Sequence, residues 1–211
     1  MYKTLTRTLV GVSPLLMHNG RLANPLDPIA KMMKEVTSKR KKTDDDYELM
    51  SNIEWLGSIY TTDDLTVKIQ GYKVTVACFG QLCIPGENVA ALLAFAGAKS
   101  RRKQAFTAGI LIEGDFPLQL ASSLSIPEIF AKPGYRLIEG VRVGNSRVMR
   151  TRAIFRSWKL PLRIQYLPQL LNPREVDETL ILGGQIGGLG DYRPKYGRFS
   201  VENVAGEAQA A

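Results

Sequence analysis

Apolar positions follow two different periods along this chain, and the changes between them predict the order of strands and helices. Residues 2–12 alternate between apolar and polar side chains and are rich in β-branched residues, which predicts a first strand. Residues 28–42 follow a helical period instead. A second helix is predicted from Thr43, because the acidic residues 44–46 complement the positive end of a helix dipole.

The middle of the chain predicts a β-hairpin followed by a helix. Residues 66–69 and 72–79 are rich in β-branched side chains and flank a Gln-Gly turn, as the two strands of a hairpin do. A Pro-Gly turn at residues 85–86 then precedes a helix that begins at Glu87 or Asn88.

The last third of the chain predicts further strands around one more helix. Residues 107–120 are interpreted as two strands broken by a Gly-Asp turn, and no element is assigned to the proline-containing residues 126–134. Asn172 and Pro173 suit the N-cap and first position of a helix, and residues 199–201 suit a short last strand. This order predicts an α+β fold with an antiparallel sheet.

Composition is that of a globular protein, and the net charge predicts an anionic partner. The chain has 211 residues, of which 45% are hydrophobic and 23% are charged. We expect a single domain over residues 1–211, with a largely helical insertion at 24–62 and a frayed tail at 205–211. The formal net charge is +8 and the pI is about 9.5, which favours nucleic acid first and an anionic membrane surface second.

Residues that bind metals or form disulfides are scarce. The chain has one histidine, His18, and two cysteines, Cys78 and Cys83, so neither a zinc site nor a cofactor is expected. Low cysteine use and no signal-peptide pattern predict a cytoplasmic location in a bacterial or infected cell. No run approaches the roughly 20 apolar residues of a membrane span, so no membrane partner is expected.

Most of the positive charge lies in residues 136–163. This stretch holds seven arginines and one lysine against the single acid Glu139, a net +7 out of +8. Alternation on a strand would place the cations on one face, with Val148 and Ala153 near the core. A solvated strand face would normally mix in acids, although a purely solubilising face remains an alternative. The predicted phosphate-binding residues are Arg142, Arg147, Arg150, Arg152 and Arg156.

A glycine-rich stretch, residues 183–199, combines flexible backbone with aromatic and cationic side chains. Glycine lets a backbone approach a phosphate closely, and tyrosines can stack on bases. The alternative is a helix end followed by a tight turn into the last strand. Trp158 is a further stacking candidate. The predicted ligand-binding residues here are Gly187, Gly188, Gly190, Tyr192, Arg193, Lys195, Tyr196 and Arg198.

A second basic cluster follows the central helix. It would extend the track of phosphate contacts, but cations at a helix C-terminus are favourable without any ligand, so the cluster is ambiguous. Its residues are Lys99, Arg101, Arg102 and Lys103.

Three stretches occur together in an order that resembles the repeat-associated mysterious protein (RAMP) superfamily. They are SPLLMHNG at 13–20, IPGENVAALLAFAG at 84–97 and GGLGDYRPKYGRF at 187–199. Within that superfamily the chain resembles the backbone subunits of CRISPR effector complexes, which coat guide RNA. It differs at Glu87 and Asn88, where the family has small hydroxyl residues. A phage or plasmid protein that coats single strands with the same fold would fit equally well.

The resemblance implies an RRM-like or ferredoxin-like antiparallel sheet with helices on one face. It also implies a non-catalytic protein that binds single-stranded DNA or RNA and associates with itself along the strand. Two alternatives stay open. One is a metal-independent RNA endonuclease that uses His18 as general acid or base, as some RAMP relatives use a histidine. The other is a structural, virion-type assembly protein whose basic face meets a genome.

Overall fold

The computed structural model describes residues 1–203, so the frayed tail predicted at 205–211 lies outside the described residues. The chain divides into two compact units. Unit 1 comprises Met1–Leu15, Cys83–Ala121 and Phe155–Ala211, and unit 2 comprises Leu16–Leu82 and Ser122–Ile154. The helical insertion predicted at 24–62 falls in unit 2, and the single-domain assignment stays a prediction.

Strands and helices together give an α+β fold, as predicted. The strands are β1 (Lys3–Gly11), β2 (Leu15–Leu16), β3 (Thr66–Gln70), β4 (Lys73–Ala77), β5 (Cys83–Pro85), β6 (Ile110–Leu111), β7 (Asp115–Pro117), β8 (Gln119–Leu120), β9 (Arg136–Val143), β10 (Ser146–Phe155), β11 (Trp158–Tyr166) and β12 (Phe199–Asn203). The helices are α1 (Pro28–Thr37), α2 (Asp44–Ser58), α3 (Gly86–Lys99), α4 (Lys103–Gly109), α5 (Ile126–Phe130) and α6 (Pro173–Ile186).

The main sheet of unit 1 has β1 at its centre. The strand order is β12-β1-β11-β6, with β8 also paired to β11, and all of these pairs are antiparallel. Leu5 lies opposite Ile164 and Leu9 opposite Leu160, and all four side chains are buried. The alternating pattern that predicted β1 is therefore the pattern of a strand with one face in the core.

Helix α6 packs on β12, and α3 packs on α6, which places both helices beside the glycine-rich stretch. Asn172 caps α6 as predicted, because its side chain accepts a hydrogen bond from the Glu175 N–H at 2.9 Å. Arg7 of β1 donates two hydrogen bonds to the Asp177 carboxylate, at 2.8 and 3.0 Å. Because Arg7 is buried, this bidentate pair fixes α6 against the sheet.

Unit 2 is built around α2. The Trp55 indole is fully buried, donates to the Tyr135 carbonyl at 2.8 Å and packs against the Phe130 ring at 5.4 Å. The buried Glu54 carboxylate accepts the Thr151 N–H at 2.7 Å. These contacts attach α2 to α5 and to the hairpin formed by β9 and β10.

One sequence prediction was wrong about local structure, and one helix was missed. Residues 107–120 were interpreted as a strand pair, but the chain stays helical to Gly109 and forms only the short strands β6, β7 and β8. Helix α5 was not predicted, although Ser125 and Glu128 form a capping box that the Ser-x-x-Glu spacing indicates. Within residues 1–203, no helix is both long and apolar enough to cross a membrane.

Candidate nucleic-acid interface

The glycine-rich stretch begins in the last turn of α6 and continues as a closed loop over residues 187–198, the glycine-rich loop. The Gly187 and Gly188 N–H groups both donate to the Gly183 carbonyl, at 2.9 and 2.8 Å, and so end the helix. The Leu189 N–H donates to the Gly197 carbonyl at 2.9 Å and closes the loop. Gly197 has φ of +76°, and a Cβ there would overlap the Leu189 carbonyl, so only glycine fits.

These hydrogen bonds change the predicted role of the glycines. Because the Gly187 and Gly188 N–H groups are used within the helix end, they are not open to a phosphate. Gly190 has φ of +77°, and its approach to a phosphate stays a prediction. The alternative prediction for this stretch, a helix end followed by a turn, is therefore correct for residues 183–188.

A cavity of about 640 Å³ lies between this loop and α3 in unit 1. Phe95 of α3 and Tyr192 of the loop contribute exposed aromatic rings, with relative exposures of 43% and 40%. The lining residues are Ala91, Phe95, Ile186, Gly187, Asp191, Tyr192, Arg193 and Pro194. A volume of this size is typical of small-molecule sites.

Tyr192 is held in a backbone conformation that few side chains adopt. Its φ is +55°, in the left-handed region, at a cost of roughly 1–3 kcal/mol for a residue other than glycine. The Tyr196 N–H donates to the Tyr192 carbonyl at 3.2 Å, which fixes the turn. A strained residue whose ring lies at a cavity is consistent with a binding role rather than a purely structural one.

One cation lines the cavity, and three others lie on the loop and the helix that form it. Arg193 lines it, and the Lys99 ammonium lies 5.5 Å from the centre of the Phe95 ring. The Lys195 ammonium lies 4.9 Å from the Tyr196 ring, and Arg198 donates to the Pro194 carbonyl at 2.8 Å. Arg193 makes no ion pair with any residue in 1–203.

Two predicted stacking residues are not available for stacking in this structure. Tyr196 is buried, and its ring faces the Lys195 ammonium. Trp158 is buried as well, and its indole donates to the Ser13 carbonyl at 2.9 Å and packs edge-on against Phe199. Tyr192 is therefore the predicted aromatic residue whose ring is exposed.

The basic cluster after α3 divides into structural and exposed residues. Arg102 donates to the Leu170 carbonyl at 2.7 Å and pairs with Glu175 at 3.2 Å, so it fastens α4 to the start of α6. Arg101 and Lys103 are exposed and make no ion pair within residues 1–203. A second, smaller cavity of about 370 Å³ lies beside them.

The predicted arginines of β10 lie on both faces of the strand rather than on one. Arg147 shares a face with Ala153, whereas Arg150 and Arg152 share the other face with Val148. The expectation that Val148 and Ala153 lie together on the core face was wrong, because they are five positions apart and an odd spacing puts two residues of a strand on opposite faces. Ala153 is buried and Val148 is only half-buried.

The arginines also differ in their partners. Arg150 forms an ion pair with Glu54 at 2.5 Å, which neutralises its charge. Arg142 and Arg147 lie directly opposite each other across the hairpin, both exposed, and neither makes an ion pair with a residue in 1–203. Arg152 is half-buried in unit 2, and Arg156 is exposed in unit 1.

The structure therefore brings part of the predicted set together. In unit 1 the glycine-rich loop and Phe95 of α3 line one cavity, and the Lys99 ammonium lies beside the Phe95 ring. Arg142, Arg147, Arg150 and Arg152 belong to unit 2. Phe95 was not predicted as a site residue. A signal was present, because Phe95 lies outside the apolar stripe that α3 buries, and an apolar side chain outside such a stripe is expected to be exposed.

The candidate catalytic and metal-binding residues are not clustered. Within residues 1–203 no group of three or more His, Cys, Asp and Glu side chains could hold a metal ion. His18 is exposed, and its carbonyl accepts a hydrogen bond from the Tyr60 hydroxyl at 3.0 Å. Burial and the nearby Asp115 carboxylate raise the pKa of the Cys83 thiol to about 12, so this thiol is unreactive at neutral pH.

Comparisons with known proteins add no family. No protein-family model matches the chain, and the search of curated proteins finds no match. The resemblance to the RAMP superfamily therefore stays a prediction, and the proposals below rest on the residues themselves.

Proposed function

We propose that this protein binds single-stranded nucleic acid without cleaving it, and that copies coat the strand together inside a bacterial or infected cell. The observation that carries the proposal is the unit 1 cavity. It presents two exposed aromatic rings, Phe95 and Tyr192, beside the guanidinium of Arg193. Rings next to cations fit a ligand that has flat bases and phosphates.

The geometry of the cavity favours a single strand over a duplex. A base can stack on Tyr192 or Phe95 only when its own faces are not covered by neighbouring base pairs. Single-strand binders commonly combine such stacking with cations that follow the backbone. Arg193 lines the cavity, the Lys99 ammonium lies beside the Phe95 ring, and Arg101 and Lys103 line the second cavity of unit 1, so these four cations are the proposed phosphate contacts.

The order of strands in unit 1 supports an RRM-like or ferredoxin-like fold as part of this proposal. Along the chain, β1, α3, β6, β11, α6 and β12 follow the βαββαβ sequence of that fold, and the observed sheet order is β12-β1-β11-β6. RRM domains bind single-stranded RNA through exposed aromatics, although on the sheet rather than at a loop cavity.

The arginines in and beside the β9–β10 hairpin support nucleic-acid binding less strongly than the sequence suggested. Arg150 is already paired with Glu54, so its charge is compensated in the structure. Arg152 and Arg156 stay predictions as phosphate contacts, as do Arg142 and Arg147. The distinction matters because only cations that release counterions contribute to the salt dependence of binding.

The test is a titration of matched single- and double-stranded DNA and RNA oligonucleotides at two salt concentrations. We expect tighter binding to single strands and a clear loss of affinity at the higher salt. Labelled RNA recovered intact after incubation would fit a binder, whereas cleavage that His18→Ala abolishes would favour the endonuclease. Equal affinity for duplexes, or an affinity independent of salt, would contradict the proposal.

A further inference from the structure

The segment after β4 presents a phenylalanine that no other residue in 1–203 covers. Phe79 has a relative exposure of 101%. The loop that carries it is braced, because Gln81 and Thr62 exchange two hydrogen bonds at 2.9 and 3.0 Å. A Cβ at Gly80 would lie 2.6 Å from the Asp63 nitrogen, so the two segments are in close contact. The ring is therefore held out on a fixed loop.

The loop that carries this ring is acidic. Asp63 and Asp64 are exposed, and residues 61–66 and 77–82 contain no lysine or arginine. Carboxylates beside the ring disfavour contact with nucleic acid or with an anionic membrane. We call residues 61–66 and 77–82 the Phe79 loop. An apolar ring beside two carboxylates is complementary to a partner surface that is apolar and flanked by two cations.

The β9–β10 hairpin of unit 2 carries such a surface. Ile138 and Met149 are exposed apolar side chains, at 54% and 61%. They lie on the same face of the hairpin as Arg142 and Arg147, according to the strand register. Two arginines directly opposite each other repel, so this face gains stability when carboxylates approach.

We propose that the Phe79 loop of one copy docks on the hairpin of a second copy of this chain. The Phe79 ring packs on Ile138 and Met149. The adjacent carboxylates of Asp63 and Asp64 pair with Arg142 and Arg147. Within residues 1–203 of one copy, Phe79 is exposed and the two arginines make no ion pair, so the two surfaces do not contact each other in the same molecule. The contact therefore needs a second copy.

This inference rests on the proposed coating function and names the surfaces through which copies meet. The two surfaces are unlike, so the contact is heterologous and copies can add head to tail. One loop on one hairpin is a small interface, so self-association is weak in solution and strengthens when copies share a strand. Arg142 and Arg147 then face a neighbouring protein rather than the phosphates predicted from the sequence.

The first experiment is sedimentation velocity of the full chain without nucleic acid, from low micromolar to near-millimolar protein. We expect concentration-dependent association of the wild type. Phe79→Ala should weaken it about thirtyfold or more, as for a hot-spot aromatic. Tyr47→Ala is the matched control, because Tyr47 is another exposed aromatic of unit 2, and it should associate like the wild type.

A charge exchange tests the pairing of the two surfaces. The double variants Asp63→Lys/Asp64→Lys and Arg142→Glu/Arg147→Glu should each fail to associate alone. Mixed together they should associate again, because each lysine loop then meets a glutamate hairpin and each native loop meets a native hairpin. A general loss of folding cannot be reversed by mixing, so recovery separates the docking contact from damage to the fold.

Three outcomes would overturn the inference: a wild type that stays monomeric throughout, a Phe79→Ala variant that associates normally, or a mixture that does not recover. Binding of dilute protein to an oligonucleotide too short for two copies tests the proposed function separately. Phe79→Ala should bind this oligonucleotide like the wild type. Failure of the wild type to bind it would refute nucleic-acid binding while self-association without nucleic acid could still stand.

Discussion

Replacing Tyr192 by alanine removes the most exposed aromatic ring of the glycine-rich loop and tests the cavity directly. The residue is 40% exposed in the structure. A tyrosine that is fully covered buries about 150–250 Å², so a stacked base would cover about 60–100 Å² more. At about 25 cal/mol per Å², this area contributes roughly 1.5–2.5 kcal/mol. The dissociation constant for a short single strand should therefore rise about 10- to 70-fold.

The assay is fluorescence anisotropy with a labelled oligonucleotide that one copy can cover, repeated over a range of salt concentrations. Because the ring carries no charge, the slope of log affinity against log salt should not change. Tyr192→Phe keeps the ring and should bind like the wild type. An affinity of Tyr192→Ala within about twofold of the wild type would refute stacking at this cavity, as would an equal loss in Tyr192→Phe.

Three further changes test the remaining parts of the structure. The double variant Arg101→Ala/Lys103→Ala should reduce the salt slope by about 1.4, since each phosphate contact on a single strand contributes about 0.7. Gly197→Ala should lower the free energy of unfolding by about 3 kcal/mol or more in urea titrations, because its Cβ overlaps a carbonyl at φ of +76°. Asp46 has its pKa lowered, first by a hydrogen bond from Lys39 and then by the Thr43 backbone. The stability it contributes should be complete above its ordinary pKa of 3.8 and lost as the pH falls through the lowered value, so Asp46→Asn should resemble the wild type only in strong acid.

Matched variants separate these effects from general damage. Arg174→Ala removes an exposed arginine that pairs with Glu178, and it should leave the salt slope unchanged. Gly71→Ala meets nothing within 4 Å and should cost only the strain of φ +60°, about 1–2 kcal/mol. Equal losses in Gly71→Ala and Gly197→Ala would argue against the overlap, and a constant Asp46→Asn difference at every pH would argue against the lowered pKa.

Much of unit 1 could be predicted from the sequence because single faces of its elements enter the core. The alternation of residues 2–12 predicted β1, and Asn172 with Glu175 predicted the start of α6. The short strands after α4 could not be predicted in the same way. Gly109 and Ile110 change from helix to strand without a turn signal, and only pairing with β11 makes residues 110–111 a strand.

The candidate site was predicted less completely, for two physical reasons. Residue type does not report burial, so Tyr196 and Tyr192 looked equivalent although one ring is buried and the other is exposed. Residue type also does not report hydrogen bonds. The glycines of the loop looked equally able to meet a phosphate, yet Gly187 and Gly188 use their N–H groups to end α6. Phe95 is 97 residues before Tyr192 in the chain, and only the fold brings it to the cavity.

The fastening of the glycine-rich loop has a consequence for the protein while it is being synthesised. The Gly197 N–H donates to the Pro14 carbonyl at 2.8 Å, and the Arg198 carbonyl accepts the Val12 N–H at 2.8 Å. The loop is therefore tied to the end of the first strand, and these ties can form only after residue 198 has left the ribosome. A nascent chain that already exposes most of its arginines would still lack the cavity, so the proposed capture of a strand through that cavity must wait until residue 198 has emerged.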